Sequence, residues 1–149
     1  MNTASFPVPQ EWGVDADVQA VPAARRLVSE IVRTWRVALS EDALQELELC
    51  TSELIANAVE HTGDRCRVAV RWTGGRVRIE VADSSPLLPD ADSPGELATR
   101  GRGLLLVESL SHDWGWEARG AGKIVWCEFK AGPTDELVHG WGTFTGRVA

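Results

Sequence analysis

Between residues 22 and 36 the apolar positions Leu27, Val28, Ile31, Val32 and Trp35 recur at helical spacing, with Arg25, Arg26, Arg33 and Arg36 on the other faces. Pro22 suits the opening of this amphipathic helix. Ser40 fits an N-cap, and Glu41 and Asp42 then fall in a first turn that favours negative charge. The spacing predicts a second helix from there to about His61, ending near Thr62-Gly63. The period then switches to two. RVAVRWT places Val68, Val70 and Trp72 on one face, and Gly74-Gly75 supplies a two-residue turn. RVRIEVAD alternates again through Val77, Ile79 and Val81, which completes a hairpin. Residues 84–102 are rich in Pro, Ser, Asp and Gly and follow neither period, which is long for a plain connection and points to a functional loop or a disordered one. GLLLVESLSH reads as a buried helix opening directly from Gly101-Arg102-Gly103. WGWEA, a Gly-rich turn at 120–122 and KIVWCEF read as a second hairpin.

The order helix, helix, strand, strand, loop, helix, strand, strand groups strands into hairpins rather than βαβ units. The expected fold class is therefore α+β: a two-layer α/β sandwich whose sheet is mixed, mostly antiparallel, with helices on one face. A doubly wound nucleotide fold is disfavoured. Residues 1–21 read as an extended arm, 22–131 as one domain and 132–149 as a Gly- and Thr-rich tail, with no internal repeat.

Composition narrows the function. A chain of 149 residues, 44% hydrophobic and 25% charged, suits one ordinary globular domain. No apolar run approaches the roughly 20 residues of a membrane span. The first residues show neither the basic nor the apolar region of a secretory signal, so a cytoplasmic location is expected. A net charge of −7 makes nucleic acid an unlikely partner, and a bound nucleotide would need a metal and local donors. Cys50, Cys66 and Cys127 show no C-x-x-C pair and read as buried apolar residues. Among seven tryptophans, Trp35, Trp72 and Trp126 are assigned to core and edge packing.

Common chemical motifs are missing. Gly122-Lys123 lacks the earlier glycine of a P-loop, the glycines at 101 and 103 follow a loop rather than a strand, and neither G-x-S-x-G nor H-E-x-x-H occurs. The second helix is more informative. Residues four apart sit about 40° apart around its axis, so Glu53, Asn57 and His61 form a slanted polar row. Leu47, Leu54, Ile55, Ala58 and Val59 fill the neighbouring arc and should face the sheet. An Asn oxygen is a hard neutral ligand suited to Mg²⁺, and a Glu one turn earlier can orient water or accept a hydroxyl proton. On the row alone a solvated helix edge is the competing reading. Asp83 ends a strand where an acid can accept from a base amino group or cap a turn. Gly101-Arg102-Gly103-Leu104 is either a close-approach anion site at a helix start or a loop hinge.

Taken in order, these pieces resemble the ATP-binding domain shared by gyrase, Hsp90, histidine kinases and MutL, over residues 22–130. Within that group the chain is most similar to the small anti-sigma factor serine/threonine kinases, in the short single-domain form found in actinobacteria. The matching boxes are Glu53-Leu54-Ile55-Ala56-Asn57-Ala58-Val59-Glu60-His61, then Val81-Ala82-Asp83-Ser84-Ser85-Pro86, then Gly101-Arg102-Gly103-Leu104. The resemblance implies ATP with Mg²⁺, Asn57 as the metal ligand, Glu53 as general base and His61 beside the phosphates. It implies Asp83 as acceptor for the adenine amino group, Gly101, Arg102, Gly103 and Leu104 as a phosphate cradle, and the loop between the boxes as an ATP lid. It further implies a sigma factor and an anti-sigma antagonist protein as partners, and a homodimer through the first helix. Two features depart from the family pattern. Asp83-Ser84-Ser85-Pro86-Leu87 lacks both glycines of the usual D-x-G-x-G, and Ile124 stands where a threonine near the adenine is expected. The phosphate and metal end is intact and the base end is weakened. Two functions follow: a Mg·ATP-dependent protein kinase and anti-sigma factor, or a non-catalytic ATP-responsive regulator that grips a partner.

Overall fold

Alternation of side chains across paired strands builds one five-stranded sheet, and the polar row of the second helix is placed by how that helix lies on it. In the computed structural model, which describes residues 7–86 and 98–132, the strands are β1 (Gln10–Val14), β2 (Cys66–Trp72), β3 (Arg76–Asp83), β4 (Asp113–Arg119) and β5 (Gly122–Lys130). Their order in the sheet is β1-β2-β3-β5-β4, and every pairing is antiparallel. Three helices are described: α1 (Ala20–Trp35), α2 (Glu41–Thr62) and α3 (Ala98–Leu110). The α+β two-layer architecture is as the hairpin grouping implies, with the sheet wholly antiparallel.

Local chemistry sets the boundaries. The Ser40 hydroxyl accepts from the Ala43 amide at 3.0 Å and caps α2, and Gly63 ends it at φ +63°. Gly74 and Gly75, at φ +63° and +105°, close the β2–β3 hairpin in the positive-φ geometry that matches strand twist. Helix α1 begins two residues before Pro22, which its first turn tolerates. Helix α3 begins at Ala98, not at Gly101, so the two glycines lie within its first turns. Strand β1 lies inside the stretch expected to be an extended arm. It adds Trp12 and Val14 to the core at the sheet edge.

Helix α2 is the centre of the helical layer and touches α1, α3 and strands β2, β3 and β5. Leu47, Cys50, Leu54, Ile55 and Ala58 are buried, and they meet Val68, Val70, Val77, Ile79, Val81 and Cys127 from the sheet. All three cysteines are buried and free. Cys66 is held as a thiol, pushed up to about 11 by burial and by the neighbouring Asp83 carboxylate.

No described helix covers the other face of the sheet. Arg76 and Arg78 both bond Glu128, at 2.7 and 2.8 Å, and Arg78 and Arg71 both bond Glu80, at 2.8 and 3.1 Å. Trp126 belongs to this outer face, with the Arg78 guanidinium 4.1 Å above its ring, rather than to the core. Gly115 on β4 leaves the space its indole occupies.

Burial alone would raise the Glu80 and Glu128 carboxyls, but the arginine hydrogen bonds outweigh it and hold both below the ordinary glutamate value of 4.5. Such groups contribute stability that is complete above that value and is lost as pH falls through the lowered one. Unfolding free energy should therefore decline below about pH 4.5, with a shallower decline in Glu128→Gln, as read from denaturant unfolding at a series of pH values. Equal slopes in the two proteins would remove Glu128 from the acid response.

Candidate functional site

Two of the sequence motifs come together at the α2–α3 contact. A methyl group added at Gly103 would stand 2.6 Å from Glu53 Oε1, so the Glu53 carboxylate rests on the bare backbone of α3. Asn57, one turn further along α2, is half-buried. Leu104 packs into the core beside them. His61 lies at the last turn of α2, but its side chain and that of Arg102 fall outside the described residues. So do residues 87–97, where the expected lid falls, and residues 133–149 of the expected tail.

The helix start at Ala98 changes the expected phosphate cradle. Gly103 and Leu104 lie beyond the first turn, where amides bond to carbonyls four residues earlier. The amides left over belong to the first turn of α3. What Gly103 supplies is room: it is the position where a side chain would displace Glu53.

Asp83 sits at the end of β3, in phase with Val77, Ile79 and Val81, and so faces the helices. Directly across from it on β5 is Lys123, in phase with Val125, Cys127 and Phe129. The Lys123 ammonium is 3.0 Å from Asp83 Oδ1, and both side chains are only 1% exposed. The same oxygen accepts the Ser85 amide at 2.9 Å. Backbone closes the corner as well, because a side chain at Gly122 would collide with the Asp83 carbonyl and the Ser84 Cα. Ile124 stands where the resemblance expects a threonine near the adenine, but strand alternation puts it on the outer face. The helix-facing position belongs to Lys123, which sequence reasoning passed over. The signal was there: the phase set by Val125, Cys127 and Phe129 leads back to Lys123.

The fit to Mg·ATP therefore differs between the two ends. At the α2–α3 end, a carboxylate over bare backbone and an amide oxygen one turn away suit a hard cation and phosphate oxygens. At the β3–β5 end, the acid that would read an amino group is already bonded to a cation inside the protein. Leaving a buried charge without its partner costs roughly 3–5 kcal/mol, while a hydrogen bond to a charged group returns about 1.5–3 kcal/mol. The ion pair wins that comparison.

A separate groove of about 420 Å³ lies on the outer face, among Glu11, Arg67, Arg71, Glu80, Arg119 and Ile124. Its charged groups are in ion pairs with one another or with Glu117, and none of the sequence-predicted site residues lines it. Among the described residues, no group of three or more His, Cys, Asp or Glu gathers as a metal site, and no helix is long and apolar enough to cross a membrane.

A family model for the histidine kinase-like ATPase domain matches residues 14–129. The chain belongs to this family. The matched span holds all three helices, β2, β3 and β4 whole and β5 as far as Phe129, but only Val14 of β1. An uncharacterised Streptomyces coelicolor protein, SCO4941, is 32% identical over 82 residues, which covers 52% of this chain and 78% of that one. The crystal structure of the RsbU and RsbW domains of Rv1364c from Mycobacterium tuberculosis superimposes with a TM-score of 0.63 at 20% identity. That match covers 83% of this chain, which spans about a third (32%) of the Rv1364c chain, and it shows the shared ATPase fold.

The two glycines at the site make opposite predictions for the same substitution. In Gly103→Ala the clashing atom is the end of a flexible side chain, so Glu53 swings away and the helix gains up to about 1 kcal/mol. In Gly122→Ala the clash is with backbone, and stability falls by more than about 2 kcal/mol. Chemical denaturation of both variants checks this, and a Gly103→Ala loss as large as that of Gly122→Ala would show that Glu53 is locked in place.

Proposed function

We propose that this chain is a nucleotide-dependent regulator of the anti-sigma type that transfers the terminal phosphoryl group of Mg·ATP to a serine or threonine of an antagonist protein. The observation that carries the reading is Glu53 held against the backbone of α3 at Gly103, with Asn57 one turn away. Membership of the histidine kinase-like ATPases supports nucleotide binding, and the fold shared with a chain that includes an RsbW domain supports the anti-sigma assignment.

Phosphoryl transfer needs positioning and charge neutralisation more than covalent help from the protein. Mg·ATP supplies the transferred group and the cation that offsets its charge. Asn57 offers its side-chain oxygen to the cation, and the first turn of α3 offers amides to anionic oxygens. Glu53 accepts the hydroxyl proton as that oxygen bonds to phosphorus and the bond to the departing diphosphate breaks. His61 stands one further turn along the same helix edge, on the phosphate side. The acidic surface of the chain suits a protein partner better than nucleic acid. The proposed partners are a sigma factor and its antagonist, with a homodimer formed through α1 and a cytoplasmic setting.

One observation favours a second reading, a regulator that grips its partner without transfer: the Asp83–Lys123 pair closes the base end. Labelled ATP with candidate antagonist proteins separates the two. Kinase action predicts labelling by wild type and a loss of roughly 10²–10⁴-fold in Glu53→Ala with binding retained. Asn57→Ala should abolish the magnesium dependence of nucleotide binding. A wild-type protein that binds ATP and its antagonist yet leaves the antagonist unlabelled contradicts the kinase and supports the regulator.

A further inference from the structure

The base end of the proposed nucleotide site contains a group that none of the sequence motifs includes. Lys123 is directly opposite Asp83 in the β3–β5 register, and its ammonium donates to Asp83 Oδ1 at 3.0 Å. The Ser85 amide donates to that same oxygen. With the Asp83 and Lys123 side chains each 1% exposed, neither the carboxylate nor the ammonium is presented to an incoming ligand. The strand ends are also pressed together at Gly122, which meets the Asp83 carbonyl and Ser84 with no space for a Cβ. Oδ1 takes both hydrogen bonds, so an amino group on a base would be left with Oδ2, buried and on a carboxylate whose charge a buried cation neutralises.

We infer that Lys123 sets the base specificity of this site: by engaging Asp83 internally, it makes the site indifferent to the base, so that a nucleoside triphosphate is held through its phosphates and metal. The inference rests on the nucleotide reading given above and adds which part of the ligand is recognised. Adenine and guanine differ at the edge an acid would read, since adenine presents an amino group at the position where guanine presents a carbonyl. A free Asp83 accepts from the first and repels the second. An Asp83 paired to Lys123 offers neither preference.

The test is competition for a fluorescent ribose-labelled ATP in the presence of Mg²⁺, with ATP, GTP and UTP as competitors. For wild type, the three should displace the probe with affinities within about fivefold of one another, less than one well-placed charged hydrogen bond supplies. In Lys123→Thr, which frees the carboxylate, ATP should gain on GTP by about tenfold or more. Wild-type preference for ATP beyond fivefold overturns the inference while leaving the nucleotide reading intact, and so does a folded Lys123→Thr protein with unchanged ratios. Should Lys123→Thr fail to fold because Asp83 is left buried and unpaired, the wild-type ratios alone decide. Absence of probe binding overturns the nucleotide reading itself, and this inference with it.

Discussion

The structure depends on one constraint: α2 must bury a full side against the sheet while lying between two other helices. Leu47, Cys50, Leu54, Ile55 and Ala58 meet this constraint and fix the rotation of the helix about its axis. Once the rotation is fixed, Glu53 and Asn57 have no choice of direction. They fall on the arc between the sheet-facing side and α3, half-buried, with Glu53 against Gly103. The Ser40 cap and the Gly63 stop set the length of α2 around that register. A shift of one residue along α2 would turn Glu53 by about 100° and take it off the α3 backbone.

Much of this was legible in the sequence because two periods carried it. The 3.6 period of α2 named both its buried arc and its polar row, and the period of two in RVRIEVAD put Asp83 in phase with the core. Strand β5 was harder. Its outer positions include Ile124 and Trp126, which are as apolar as the inner Val125 and Cys127, so the alternation of KIVWCEF is hidden. The sequence therefore leaves Trp126 to core and edge packing, and only the family resemblance places Ile124 where a threonine near the adenine is expected. Both residues lie on the outer face, and Lys123, a charged residue in a core-facing slot, was overlooked. Strand β1 is not legible because QEWGV, five residues with glycine fourth, shows no usable alternation. The true start of α3 was hidden because glycine marks helix ends by propensity, yet within α3 it is tolerated where Glu53 needs the space.

The two ends of the site are built by different forces. The α2–α3 end is made by packing, with a helix turned so that a carboxylate lands on bare backbone. The β3–β5 end is made by electrostatics, with two opposite charges buried together because neither is stable there alone. Both ends lie within the residues that match the histidine kinase-like ATPase family. The outer face follows a third logic. Its arginines and glutamates neutralise one another within β3 and across strands, which keeps a sheet face that no described helix covers polar.

The central claim is that the ligand site lies on the helix side of the sheet, along the Glu53–Asn57 edge of α2 and the start of α3. Backbone amide shifts recorded by NMR as Mg·ATP is added test that location directly. The account predicts shifts concentrated at Glu53 to His61 and at the first turns of α3, with Arg71, Glu80 and Arg119 of the outer groove unmoved. Shifts confined to that outer groove, or none anywhere at millimolar nucleotide, would contradict it.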